Sequence, residues 1–174
     1  MIVNKAYRYR LYPTREQKMM FAKTFGCVRF IYNKMLSDRI DYYKETGQKL
    51  NNTPAQYKEE FPWLKEVDSL ALANAQMNLN KAYSHFWNDS QHFGKPRFKS
   101  KKNSRASYST NNQKGSVRIE GHKVKLPKVG WVKLCQHRPL PENSIIKTVT
   151  ISQTPSGKYY ISMLVEYENQ ILPV

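Results

Sequence analysis

Residues Ile2 to Leu11 alternate, with Val3, Lys5, Tyr7 and Tyr9 on one side and Asn4, Ala6, Arg8 and Arg10 on the other. A two-residue period is that of a β-strand, here with one aromatic and one cationic face. Pro13 ends it. This strand stands alone at the start of the chain, so it must return to pair with strands that come much later. That requirement constrains the fold more than any other feature.

Between the first strand and its partners the period changes to that of helices. Thr14 with Gln17 forms a capping box, and Phe21, Phe25, Val28, Ile31 or Tyr32, Met35, Leu36 and Ile40 recur at helical spacing up to a stop near Gly47. Gly26 falls inside this pattern and predicts a break into two helices. Thr53-Pro54-Ala55-Gln56 is a second capping box with proline at the first helical position, and Pro62 keeps the helix it starts short. Asp68 or Ser69 then caps a long helix with Leu72, Ala75, Leu79, Ala82, Tyr83 and Phe86 on one stripe, ending before Gly94. Beyond it, Val117–Ile119, Lys123–Leu126, Trp131–Leu134, Ile145–Ser152 and Lys158–Glu166 read as strands, the last two joined as a hairpin by Thr154-Pro155-Ser156-Gly157. The expected fold class is α+β, a small β-barrel with a helical module inserted after its first strand.

Charge points to the partner. The chain carries 29 Lys and Arg against 13 Asp and Glu, a formal +16 over 174 residues. Thirteen of the cations lie between Gly94 and Arg138 with a single acid, Glu120, among aromatic and small polar residues. Clustered cations neutralise phosphates and release counterions, and the interleaved aromatics and amides can stack on or hydrogen-bond to bases and sugars. The competing reading is a generic basic surface suited to solubility or ribosomal association. Cys27 and Cys135 have no pairing spacing, which fits a reducing cytoplasm and leaves no cysteine-built zinc site. No apolar run reaches the length of a membrane span, and the start is not a signal peptide, so no membrane contact is expected.

Catalytic chemistry is missing from the pattern. Metal-dependent nucleases need clustered carboxylates to hold divalent cations, yet Asp38 and Asp41, one helical turn apart beside Arg39 and Lys44, read as a solvated face. His85, His92, His122 and His137 lack ligand spacing. The expectation is no catalytic residue, no metal site and no cofactor in this chain.

Several segments, taken in order, carry a resemblance. They are Tyr9-Arg10-Leu11-Tyr12-Pro13-Thr14, Arg29-Phe30-Ile31-Tyr32-Asn33, Trp63-Leu64-Lys65-Glu66-Val67-Asp68-Ser69, Ala82-Tyr83-Ser84-His85-Phe86-Trp87, Lys95-Pro96-Arg97-Phe98-Lys99, Leu126-Pro127-Lys128-Val129-Gly130-Trp131 and Gly157-Lys158-Tyr159-Tyr160. Together they resemble the N-terminal half of TnpB, the RNA-guided endonuclease family of insertion sequences related to type V CRISPR effectors. The resemblance implies an oligonucleotide-binding-like barrel called the wedge domain, made of residues 1–12 and 94–174, with an inserted helical recognition domain at 13–93. In the family a RuvC-like nuclease domain with three metal-binding carboxylates and a four-cysteine zinc element follows. This sequence stops near where that domain would begin, so Mg2+ and Zn2+ are implied only for the missing half.

The resemblance also implies site residues. Asn52, Ser69, Leu70, Ala73 and Asn74, with Thr110 and Asn111 in a wedge loop, align with positions that read a short motif flanking the target on duplex DNA. The lack of Arg and Lys among them favours an A/T-rich motif. Lys5, Arg8 and Arg10 on the cationic face of the first strand, with Arg97, Lys99, Lys101, Lys102, Lys123, Lys125 and Lys128, would hold guide RNA. Arg29 and Asn33 are candidates for heteroduplex phosphates. Phe98 and Trp131 read as core or as lids on the barrel, with base stacking as the alternative. Tyr7 and Tyr9 read as core. The expected partners are guide RNA, double-stranded target DNA and a RuvC-like half or chain. Two other readings compete: a stand-alone, nuclease-lacking regulator binding guide RNA or DNA, and a ribosome-type basic protein.

Overall fold

The computed structural model describes residues 1–102 and 105–169, in two compact units. One comprises Met1–Phe21 with Arg105–Val174, and the other Ala22–Ser104.

The first unit is a seven-stranded antiparallel sheet. Its strands are β1 (Ile2–Tyr12), β2 (Ala106–Asn111), β3 (Arg118–Glu120), β4 (Lys123–Leu126), β5 (Gly130–Cys135), β6 (Ile145–Gln153) and β7 (Tyr159–Glu168), in the order β2-β6-β7-β1-β5-β4-β3. The early strand does return to pair with late ones. β1 sits fourth of seven, against β7 from Ile2 to Leu11 and against β5 from Arg10 to Tyr12. The hairpin between β6 and β7 turns at Gly157, whose φ of +89° suits glycine, and Thr154 and Lys158 close it by a 2.8 Å backbone bond.

The sheet is not a closed barrel, because β2 and β3 are its two edges among the described residues. It must nevertheless curl. The edges are consecutive strands, and the seven steps from Asn111 to Arg118 reach at most about 25 Å. Seven flat strands would span about 29 Å. The result is a half-barrel. Its concave core holds Tyr9, Leu11, Val124, Leu134, Ile151 and Ile161, all buried. Phe21 lies 5.7 Å from the Tyr159 ring and 6.3 Å from that of Tyr108.

Three expectations change here. β2 was expected as a loop holding Thr110 and Asn111; Thr110 is instead fully buried in a strand that pairs with β6 throughout. The predicted strand Val117–Ile119 begins one residue later, at Arg118. Lys5 shares its side of β1 with Tyr7, with its Nζ 5.6 Å from that ring, rather than with Arg8 and Arg10.

The second unit is helical. α1 (Arg15–Thr46) starts in the first unit and continues through it; α2 (Ser69–Asn88) follows two single 3₁₀ turns at Pro54–Tyr57 and Pro62–Glu66. Both capping boxes form. Thr14 N–H donates to Gln17 Oε1 (2.9 Å) and Gln17 N–H to Thr14 Oγ1 (3.3 Å), while Thr53 N–H donates to Gln56 Oε1 (3.2 Å). Asp68 caps α2 by accepting from Leu70 N–H at 3.0 Å. The expected break at Gly26 is absent, and α1 runs unbroken for 32 residues. One glycine costs only about 1 kcal/mol in a helix, whereas Phe21, Phe25, Ile31 and Met35 keep the buried stripe continuous across it.

A direct test follows from that last point. A Cβ added at Gly26 would meet nothing within 4 Å. Gly26→Ala is therefore expected to raise stability by about 1 kcal/mol, or a melting temperature by about 3 °C. A lower melting temperature would mean that the helix needs a glycine there.

Candidate nucleic-acid interface

The register of the half-barrel decides which side chains share its convex face. Alternation puts Tyr7, Tyr9 and Leu11 of β1 inward, and therefore Arg8, Arg10 and Tyr12 outward. Carrying this parity across the ladder places Trp131 and Lys133 of β5, Lys123 and Lys125 of β4, and Arg118 of β3 on the same outer face. In the other direction it adds Tyr160 and Ser162 of β7, Thr148 and Thr150 of β6, and Ser109 and Asn111 of β2. One face thus runs from a cationic and aromatic half to a half rich in hydroxyls.

Like charges stand directly opposite one another on the cationic half. Lys123 pairs with Lys133, and Arg118 with Lys125. Glu120, opposite Lys123, is the one acid there, and it lies 3.6 Å from Arg118. The other outward acids, Glu166 and Glu168, sit at the far end of β7 opposite Asn4 and Ile2, where Lys147 engages Glu166 at 3.0 Å. Positive potential therefore concentrates around Arg10, Tyr12, Lys125 and Lys133.

The aromatics are held under these cations. The Arg8 guanidinium is 4.1 Å from the Tyr160 ring, that of Arg10 is 5.1 Å from Tyr12, and that of Arg118 is 5.5 Å from Trp131. Trp131 is half-buried, so it is a partly covered platform and not core. Gln17 anchors its strand by donating to the Trp131 carbonyl at 2.7 Å. Arg10 Nε is buried without a hydrogen-bond partner among the described residues, a costly state for a cationic donor unless an anion reaches it. On the hydroxyl half, Ser109 and Thr150 share a 2.7 Å hydrogen bond, and Asn111 donates to Thr148 Oγ1 at 3.3 Å. Such a surface can hold phosphates and stack bases at once.

The other predicted residues are spread differently. Lys128 is exposed in the β4–β5 turn. In the helical unit Arg29 is half-buried, and Arg97, Lys101 and Lys102 are exposed in irregular chain. Phe98, 58% exposed, is not core. Asn33 uses its amide to hold the backbone of Lys99, donating to its carbonyl (2.7 Å) and accepting from its N–H (2.8 Å). Lys99 then lies 4.2 Å over the Tyr32 ring, where desolvation lowers its pKa.

Ser69, Leu70, Ala73 and Asn74 share the first turns of α2, with Ser69 exposed and the other three half-buried. Asn74 Nδ2 donates to the Leu70 carbonyl at 2.9 Å. Asn52 is buried and fully engaged: Oδ1 accepts from Arg39 Nε (2.7 Å), and Nδ2 donates to Tyr57 Oη (2.8 Å) and the Met35 carbonyl (3.3 Å). Asp38, expected on a solvated face, accepts from Tyr57 at 2.7 Å. Sequence reasoning missed Tyr12, Arg118, Lys133 and Tyr160 at the interface. The alternation Trp131-Val132-Lys133 and Tyr160-Ile161-Ser162 was the available signal, but it needs the register to be read.

Among the described residues no three His, Cys, Asp or Glu side chains gather as a metal site, and no helix is long and apolar enough to cross a membrane.

A helix-turn-helix domain model of IS605 OrfB proteins matches residues 1–48, although those residues here form β1 and one continuous helix. A proposed RNA-guided DNA endonuclease of Streptomyces pristinaespiralis is 33% identical over 171 residues, covering 94% of this chain and 42% of that protein. InsQ of Escherichia coli K12, also a proposed RNA-guided DNA endonuclease, is 28% identical over 94% of this chain and 41% of its own length. The virulence protein VsdF of Salmonella dublin is 33% identical over 113 residues, 56% of this chain and 93% of VsdF. The chain thus spans about two-fifths of the length of the first two relatives. It belongs to the TnpB family of insertion-sequence proteins and corresponds to their N-terminal part.

Proposed function

We propose that this chain is the guide-holding part of an RNA-guided DNA nuclease, with a single RNA strand lying across the convex face of the half-barrel. The observation that carries the reading is the direct opposition of Lys123 to Lys133 and of Arg118 to Lys125 beside Trp131 and Tyr12. Facing cations cost the folded state up to about 1 kcal/mol per pair, a cost that a bound polyanion removes. Arg10 Nε, buried on that face with no hydrogen-bond partner among the described residues, supports the same reading.

Sequence specificity would come from guide pairing. The first turns of α2, through Ser69, Leu70, Ala73 and Asn74, would contact the flanking DNA motif. Cutting is assigned to a RuvC-like portion corresponding to the remainder of the longer relatives. A second reading, a binder that captures guide RNA or DNA without cutting, is favoured by VsdF, which a region of this chain covers nearly end to end.

Lys133→Gln tests the central observation. Removing one of two facing charges is expected to raise the melting temperature of the free protein by about 1–3 °C. It is also expected to weaken single-stranded RNA binding about 3- to 5-fold by filter binding at 0.15 M salt. Unchanged RNA affinity would remove the convex face from the binding surface.

A further inference from the structure

The helical unit carries an open pocket of about 580 Å3, between the second half of α1, the chain after it and the end of α2. That volume falls within the range of small-ligand sites. The described residues that line it all belong to the helical unit.

Its chemistry is selective. The charged residues of the lining are Arg39, Lys44, Lys49 and Lys95, with no carboxylate. Arg39 is half-buried, yet its acceptors are the neutral amides of Asn52 and Asn80, at 2.7 and 2.8 Å. Its charge is oriented but not neutralised, and desolvation lowers its pKa. Beside these cations stands an aromatic wall of Tyr83, Phe86 and Trp87. Trp87, 49% exposed, carries the Lys49 ammonium 5.0 Å from its ring, and the Tyr83 ring lies 5.8 Å from the Arg39 guanidinium. Asn51 and Asn88, also in the lining, offer amide donors and acceptors at the rim. A simple inorganic anion would leave the aromatic wall unused, and an uncharged aromatic molecule would leave the cations unmatched.

We propose that this pocket receives one unpaired nucleotide, its base stacked on Trp87 and its phosphate held by Lys49 with Arg39 or Lys95. On entry the base takes the place of the Lys49 ammonium over the ring, and the ammonium turns to the phosphate. The shared chemistry is a base with an attached phosphate; the source is either a nucleotide splayed from a strand or a free mononucleotide. This site stands independently of the convex face, so either can fail without the other.

The test uses the full chain carrying Trp63→Phe and Trp131→Phe, which leaves Trp87 as the only tryptophan. The probes are AMP, the RNA trinucleotide AAA and an abasic trinucleotide of equal charge. Quenching of Trp87 emission by AAA, with the abasic strand bound at least about tenfold more weakly, is the expected result. Tighter binding of AAA than of AMP identifies a nucleotide within a strand, and equal binding identifies a free one. By calorimetry, Trp87→Leu is expected to weaken AAA about tenfold and Lys49→Gln about fivefold. The same quenching should persist in a chain whose convex-face cations Arg8, Lys125 and Lys133 are removed. Unaltered Trp87 emission at saturating AAA in a Trp63→Phe, Trp131→Phe chain that melts as the unsubstituted chain does, or abasic and AAA strands bound equally by the unsubstituted chain in calorimetry, would overturn the proposal.

Discussion

Charge reversal at three convex-face positions together, Arg8→Glu, Lys125→Glu and Lys133→Glu, is expected to weaken single-stranded RNA binding about 100-fold at 0.15 M salt. Each cation–phosphate contact releases about 0.7 counterion from a single strand. Three lost contacts therefore account for most of that factor, and the new repulsion for the rest. The slope of log affinity against log salt should fall by about 2 as well. Arg8 and Lys133 are exposed and Lys125 half-buried, and none has a salt-bridge partner among the described residues. The fold should survive, which a melting curve checks. Arg10 is left out of the set because its buried Nε makes any substitution ambiguous between binding and stability.

Replacing Asn52 by alanine is expected to act on stability. The change removes the acceptor of Arg39 Nε and the donor to Tyr57 Oη, both at under 3 Å in a buried setting. A charged donor left without its acceptor costs more than a neutral one, so the loss should be about 2–4 kcal/mol by urea unfolding. A variant that keeps its stability and loses only DNA capture would return Asn52 to the role of motif reader.

The same network has a pH signature. Burial first, then the hydrogen bond to Asp38, pushes the Tyr57 phenol up to about 12 from an ordinary 10.0. The unfolded chain loses that proton at lower pH than the folded chain does. The contribution of Tyr57 is thus fully present below pH 10 and lost as pH rises towards 12. Tyr57→Phe should flatten stability across that window.

Much of the fold was legible because its signals are local. The alternation of Val124 and Leu126 with Lys123 and Lys125 marked β4 to the residue, and each capping box needed only four positions. β2 escaped because Ala-Ser-Tyr-Ser-Thr-Asn follows a polar, basic stretch and lacks the Val and Ile of its neighbours. Only pairing with β6 makes it a strand. Gly26 misled for the opposite reason, since packing on both sides outweighed its weak intrinsic preference.

The candidate site was legible in its chemistry and hidden in its geometry. Clustered cations with aromatics between them were plain, yet which of them share a face depends on pairings across more than a hundred residues, such as Arg10 with Cys135. For the same reason Asn33 passed as a free phosphate contact and Asn52 as a free motif reader. Their partners lie 66 residues away in one case and 5 to 17 in the other, and no pattern along the chain announces them.

The most direct test of the convex face as the RNA platform is photocrosslinking of a single-stranded RNA carrying 4-thiouridine, with the adducts mapped by peptide mass spectrometry. Adducts on β1, β5 and β7, at Tyr12, Trp131 and Tyr160, are the expected result. Adducts that leave all three strands unmarked would contradict it.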